Sequence, residues 1–357
     1  MNINDPSQYI NHNQQFFKKF KPIVYVDKPI GNHTKSSTEV ITISINQCGS
    51  RLVVSRTDKS LRLYKCFPEG LFDPIIIEDA HLRSVESISW DPKTEYDFAT
   101  VGNDENIKIW RSSNGKLINN LKTSCKNLRI VRYSIDGEIL IAIDKNSTIL
   151  IYSVLNNYKL IQIFKINDHI YDLQWFNYEH SFFILALHDG SLPIYEINDN
   201  ININKKSTDL GEEIYKLKTI IKGHRSSTNS ISVSPKGTYF VVGASDGIIS
   251  LWDTSNLLSK NLITDIDQSI INVSCSRDGT YFSTSFEKNS NTLIYDQILG
   301  TKMFEMPNSE SGSMTFSCCC WFPSKTEFVY SSDFGTTITL MHKPDEHRTG
   351  IRPPSKR

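Results

Sequence analysis

No stretch of the 357-residue sequence approaches eighteen consecutive apolar residues, so a membrane-spanning helix is not expected. Neither sign of charge is in surplus: 39 Lys and Arg stand against 39 Asp and Glu. A dedicated nucleic-acid binder carries a basic excess, so this balance argues for weak or no direct RNA binding by the protein alone, while leaving room for a local basic patch. The seven cysteines include no Cys-x-x-Cys pair, and an odd count is no disulfide framework. Three of them, Cys318, Cys319 and Cys320, are adjacent. Neighbours on a strand point to opposite faces and cannot easily surround one ion, so they read as small core residues in a reducing compartment. There is no Gly-x-x-x-x-Gly-Lys phosphate loop and no His-Glu-x-x-His. No cofactor and no metal are expected. Residues 1–8 lack the charged and apolar regions of a secretory leader, and an intracellular protein is expected.

What the sequence does have is a repeat. In residues 238–253 a short apolar run meets a turn at Gly243–Gly247, and an alternating run ends on Trp252-Asp253. This reads as two antiparallel strands, with Gly223-His224 upstream. The residue six positions before Trp252 is Asp246. The same pairing recurs as Asp58 with Tyr64, Asp104 with Trp110, Asn146 with Tyr152, Asp189 with Tyr195, Asn289 with Tyr295 and Gly335 with Met341. Successive members lie 46, 42, 43, 57, 43 and 46 residues apart, so the period is near-constant with one insertion. A Gly-His, about thirty residues and a Trp-Asp resemble the WD40 repeat, in which each unit is one four-stranded propeller blade. The expected fold is all-β: a seven-bladed WD40 β-propeller closed by an N-terminal strand.

The strands are expected at 40–45, 51–55, 60–65 and 71–77 in blade 1, and 85–90, 97–101, 107–110 and 117–121 in blade 2. Blade 3 takes 128–133, 138–143, 148–152 and 159–164. Blade 4 takes 170–175, 182–187 and 192–196, then an insertion at 198–212, then 214–221. Blade 5 takes 230–233, 239–242, 248–252 and 261–263, and blade 6 takes 270–275, 281–285, 292–295 and 302–305. Blade 7 has only 314–321, 327–330 and 337–341 before His342-Lys343-Pro344 breaks the pattern. A strand-like run at 22–26 stands alone before blade 1. The economical reading makes it the missing outer strand of blade 7, so the propeller occupies 22–342. Residues 1–21 are expected to be a mobile polar tail, and 343–357 a disordered one. Candidate partner contacts are Phe16, Phe17, Lys18, Lys19 and Phe20, a docking cluster or else a segment packed on the propeller edge. Lys205 and Lys206 in the insertion are further candidates.

The WD40 resemblance implies a hydrogen-bonded chain from a loop His through a strand hydroxyl and a turn Asp to the Trp indole. Blade 2 has all four as His81, Thr100, Asp104 and Trp110. To a catalytic eye they resemble a Ser/His/Asp set, but a structural role in the blade is preferred. Blade 5 has His224, Asp246 and Trp252, with Val242 where the hydroxyl belongs. Its network is expected to be weaker, and Val242→Thr to complete it. Asp144, Asp168, Asp172, His169, His180 and His188 read as scattered loop or surface residues.

Residues 97–110, Asp97-Phe98-Ala99-Thr100-Val101-Gly102-Asn103-Asp104-Glu105-Asn106-Ile107-Lys108-Ile109-Trp110, resemble the second blade of the THO complex subunit 3 family. Residues 237–253 with Asn256-Leu257-Leu258 resemble that family's fifth blade, and the weak turn 143–147 of blade 3 also fits. The resemblance extends over about residues 34–342. The insertion, the Asn-rich N-terminus and the divergent blade 7 depart from it. It implies a nuclear, non-catalytic scaffold subunit bound to the large THO scaffold subunits, and indirectly to a DEAD-box helicase and mRNA. It also implies a role in mRNP assembly and export, with no membrane contact. The alternative is another nuclear WD40 adaptor, serving a chromatin modifier or a ubiquitin ligase. An enzyme would need carboxylates or His converging on a central pocket, and the sequence offers no such set.

Overall fold

Six repeats each supply four short runs rich in β-branched and aromatic residues, punctuated by Asp, Asn and Gly turns, and the seventh supplies three; each blade is one antiparallel four-stranded sheet. A computed structural model of the chain describes residues 6–27, 30, 38–178, 180–197, 214–286, 291–306, 318–332 and 335–344. It is a seven-bladed β-propeller. Six blades run a-b-c-d in chain order from the inner strand outward. In the seventh, the outermost strand is the first of the chain. Lys21–Val26 lies antiparallel to Thr337–His342, with Ile23 opposite Leu340 and Val26 opposite Thr337. The expected closure is therefore present.

The apolar interior is divided into seven wedges, one between each pair of successive blades. Ile139, Ile141 and Ile143 of blade 3 meet Leu173, Phe183 and Leu185 of blade 4. Val40, Leu52 and Val54 of blade 1 meet Val329, Ile338 and Leu340 of blade 7 across the closing seam. A sheet buried on both faces needs apolar residues at consecutive positions, and strand Ile139–Asp144 is buried along its whole length. In five blades the a–b pairing shifts register near the start of strand a, as between Leu128 and Ile130. Such bulges re-aim the extra residue, here Arg129, which reaches Glu86 of the preceding blade at 3.0 Å.

The N-terminal tail is corrected. Pro6–Lys18 form helix α1 instead of a mobile segment. Phe17 and Phe20 are buried between blades 6 and 7 with Tyr281, Met303 and Phe328. Phe17 stacks on Phe304 at 5.5 Å, Tyr9 donates to Asp296 at 2.6 Å, and Tyr281 donates to Asn13 at 2.8 Å. The helix holds because this wedge covers its aromatic face, not because its Asn- and Gln-rich sequence favours helix. The insertion at 198–212, with Lys205 and Lys206, lies outside the described residues, as do 345–357 and the turn position Asn289.

Candidate functional site

In blade 2, strand b (Asp97–Val101) carries Thr100, strand c (Asn106–Arg111) ends near Trp110, and the loop from blade 1 brings His81 alongside. The Trp110 indole donates to Thr100 Oγ1 at 2.8 Å. Thr100 Oγ1 lies 2.8 Å from His81 Nε2, and His81 Nδ1 lies 2.9 Å from Asp104 Oδ2. An indole only donates and a carboxylate only accepts, so Thr100 Oγ1 accepts from Trp110. A neutral His81 that gives its Nδ1 proton to Asp104 accepts at Nε2 from Thr100, whose hydroxyl also lies 3.5 Å from Lys108 O. Asp104 also accepts from the backbone N–H of Asn106 at 2.9 Å. Burial alone would raise this carboxyl, but His81 and the backbone donors hold it below the usual carboxylate range. The connectivity mimics a catalytic triad, yet it cannot serve as one. Thr100 is fully buried and its oxygen is occupied by the indole and the imidazole.

Blade 5 solves the same problem differently. Val242 sits where blade 2 has Thr100, but its cross-strand partner is Ser250. Ser250 Oγ lies 2.6 Å from His224 Nε2 and accepts from the Trp252 indole at 2.7 Å. The hydroxyl has moved one strand across, a substitution that only the pairing register reveals. Asp246 caps the turn by accepting from Ile248 N at 3.1 Å, and among the described residues no bond joins it to His224. Burial holds the His224 imidazole below its ordinary value, against the pull of Asp246. Gly223 has a packing reason: a Cβ there would fall 2.5 Å from the Trp252 ring.

The carboxylates read as scattered have structural partners. Asp144, two positions before the expected Asn146, caps the blade 3 turn by accepting from Asn146 N and Thr148 N at 2.9 and 2.7 Å. Asp168 accepts from the N–H groups of His169 and Asp189, both at 2.8 Å. Asp172 pairs with Arg132 at 3.2 Å and accepts from Ile231 N at 3.0 Å, linking the inner strands of blades 3, 4 and 5. The cysteine triplet alternates as strand geometry requires. Cys319 faces the blade 6–7 wedge, and Cys318 and Cys320 face the blade 7–1 wedge. Burial pushes the Cys318 and Cys320 thiols up to about 11 and about 12.

One cluster was missed from sequence. Arg56 is fully buried, its guanidinium 2.6 Å from Asp27 at the end of the closing strand. It also donates to Thr38 O at 3.1 Å in blade 1 and Thr336 O at 3.0 Å in blade 7. Arg62 lies 3.5 Å from Asp27 and 3.2 Å from Asp58, and Tyr64 donates its hydroxyl to Asp27. Two carboxylates and two guanidiniums thus clasp the seam. No local motif announces this, because its members meet only when the ring closes.

Of the candidate partner contacts, Phe17 and Phe20 are core residues and unavailable to a partner. Phe16 is half-buried, and Lys18 and Lys19 are exposed at the end of α1. Phe16 lines a groove between blades 7 and 1 of about 550 Å³. Among the described residues no helix is long and apolar enough to cross a membrane, and no group of three His, Cys, Asp or Glu is placed to hold a metal ion.

Residues 73–111 and 215–253 each match the family described as WD domain, G-beta repeat. These are the stretches that end on Trp110 and on Trp252-Asp253. The chain is 25% identical to THO complex subunit 3 of Arabidopsis thaliana over 250 residues, covering 70% of this chain and 74% of that protein. It is 27% identical over 249 residues to WD repeat-containing protein AAC3 of Dictyostelium discoideum, covering 64% of this chain and 48% of that one. It is 28% identical over 221 residues to Eukaryotic translation initiation factor 3 subunit I of Saccharomyces cerevisiae, covering 61% and 51%. The chain therefore spans about half the length of the last two.

Proposed function

We propose that this WD40-repeat β-propeller is a non-catalytic scaffold subunit of a nuclear THO-type complex that assembles messenger ribonucleoprotein for export. The likeness to THO complex subunit 3 over 70% of the chain carries the reading. The geometry is consistent with it. The triad-like set of blade 2 is buried and saturated with internal bonds, while the frame presents many loops on one rigid ring. Its partners are the large subunits of that complex, and it meets a DEAD-box helicase and mRNA through them. Each stable contact is expected to bury about 1,200–2,000 Å² in total.

Affinity purification from nuclei, with and without RNase, followed by mass spectrometry tests this. The expected result is recovery of THO-type scaffold subunits that survives RNase. Recovery of translation-initiation, chromatin-modifier or ubiquitin-ligase subunits instead would replace the reading with another WD40 adaptor. A THO association lost on RNase would overturn direct protein contact.

A further inference from the structure

We propose that the groove at the seam of blades 7 and 1 is a docking site for an acidic segment of a partner protein, anchored by one large apolar side chain. The proposal deepens the scaffold reading by naming a contact surface and its chemistry.

The groove lies on the face that carries the a–b and c–d turns. It is walled by the blade 1 turn at Phe67-Pro68, the blade 7 turn at Ser324-Lys325, the end of strand Thr337–His342 and Phe16 of α1. Its floor is fixed. Gly49 lies so close to blade 7, at φ +74°, that a Cβ would fall 2.6 Å from Ser324 Oγ. The far wall is tethered by Tyr25 of the closing strand, whose hydroxyl accepts from Leu71 N at 2.8 Å. A preformed groove costs a ligand little ordering of the protein.

Its chemistry is apolar and cationic together. Phe67 and Phe72 are 47% and 43% exposed, their rings edge to face at 5.7 Å. Lys343 holds its ammonium 5.0 Å above the Phe16 ring. The single carboxylate of the lining, Glu327, is buried and already bound. It pairs with Lys325, lies 2.7 Å from His342 Nδ1 and accepts from Lys343 N at 3.1 Å. Beside the groove, Asp73 is taken by Lys65 at 3.2 Å. Among the described residues no carboxylate pairs with Lys343, or with Lys18 and Lys21, which follow Phe16 in the chain. Aromatic walls at Phe16 and Phe67, with the Lys343 ammonium beside them and no carboxylate among the described residues pairing with it, match an apolar side chain flanked by carboxylates. Single-stranded nucleic acid would use the same cations and stack its bases on the same rings, but a chain with 39 basic and 39 acidic residues lacks the basic excess of a polyanion binder, which favours a peptide.

The test uses the purified full chain, so it succeeds or fails independently of which complex the protein joins. A random peptide display library is panned against wild type and counter-screened on the double variant Phe67→Ala with Lys343→Glu. Both side chains sit at the rim, and an unchanged melting curve verifies folding. Enriched peptides are expected to carry a large apolar residue beside two or more Asp or Glu, and to bind the variant about tenfold more weakly. Peptides with Lys in place of those acids should regain binding to Lys343→Glu. Enrichment without acidic bias, or equal binding to the variant, overturns the proposal. So does an oligouridylate probe that depends on Lys343 while peptides do not. Binding seen only after residues 345–357 are removed would make the chain's own C-terminal segment the occupant and overturn a partner.

Discussion

A blade's indole and imidazole need one hydroxyl between them, and two strands can supply it. Thr100 does so from strand b of blade 2, and Ser250 does so from strand c of blade 5, directly across from Val242. Ser250→Ala should leave both Trp252 Nε1 and His224 Nε2 without a partner, costing about 1–3 kcal/mol. Val242→Thr alone should not stabilise the protein, contrary to the expectation from sequence, because it adds a buried hydroxyl to a filled site. On the Ser250→Ala background the same change should recover part of the loss. Denaturant midpoints of the three variants decide, and a gain from Val242→Thr alone would show that Ser250 leaves the pair unsatisfied. His224 adds a pH dependence. Burial lowers its pKa, so the unfolded chain binds the proton more readily than the folded one. Stability is then complete above about pH 6.5, the unfolded value, and declines as pH falls below it. The stability margin of wild type over His224→Gln should therefore shrink between pH 7 and pH 5. A constant margin would mean that His224 titrates alike in both states.

At the scale of the element, helix α1 marks the limit of local reading. Tyr9, Asn13, Phe16 and Phe17 recur at helical spacing and share one face of α1, with Phe20 just beyond its end in the same wedge, a signal present in the sequence but diluted by Asn and Gln. The decisive term is the wedge between blades 6 and 7, which no local pattern displays. Phe17→Ala should cost about 3–5 kcal/mol and release amide exchange in residues 6–20 before that of blades 2 to 5. An unchanged midpoint would mean that α1 is not docked in solution. The blades themselves were legible because period-2 apolar runs and the turn carboxylates are local features, and the blade 2 chain could be placed residue by residue. Ser250 was not, because it depends on cross-strand register. Asp144 displaced Asn146 as the blade 3 cap because its carboxylate reaches two turn N–H groups, that of Asn146 itself and that of Thr148. The pairing of Asp27 with Arg56 depends on the closure of the whole ring.

At the scale of the molecule, that closure is the feature on which the fold turns. An open propeller would expose the edge of strand Thr337–His342, whose neighbours are already buried in the blade 7–1 wedge. Lys21–Val26 covers that edge, and Asp27 then meets Arg56, which has no exposure with which to shed its charge into water. A buried ion pair is a weak source of net stability, but removing one partner leaves a charge stranded. Asp27→Asn should therefore cost about 3–5 kcal/mol, more than its single position suggests. Two truncations separate the helix from the strand. A protein of residues 20–357 keeps the closing strand and Asp27 but uncovers Tyr281 and Phe304, and should fold with a lowered melting temperature. A protein of residues 28–357 loses the strand, the Tyr25 tether and the partner of Arg56 together, and should aggregate with no cooperative transition. The strand, not the helix, then sets whether the ring exists. A soluble 28–357 protein with a sharp melt near that of 20–357 would show that six complete blades and a three-stranded seventh close without it.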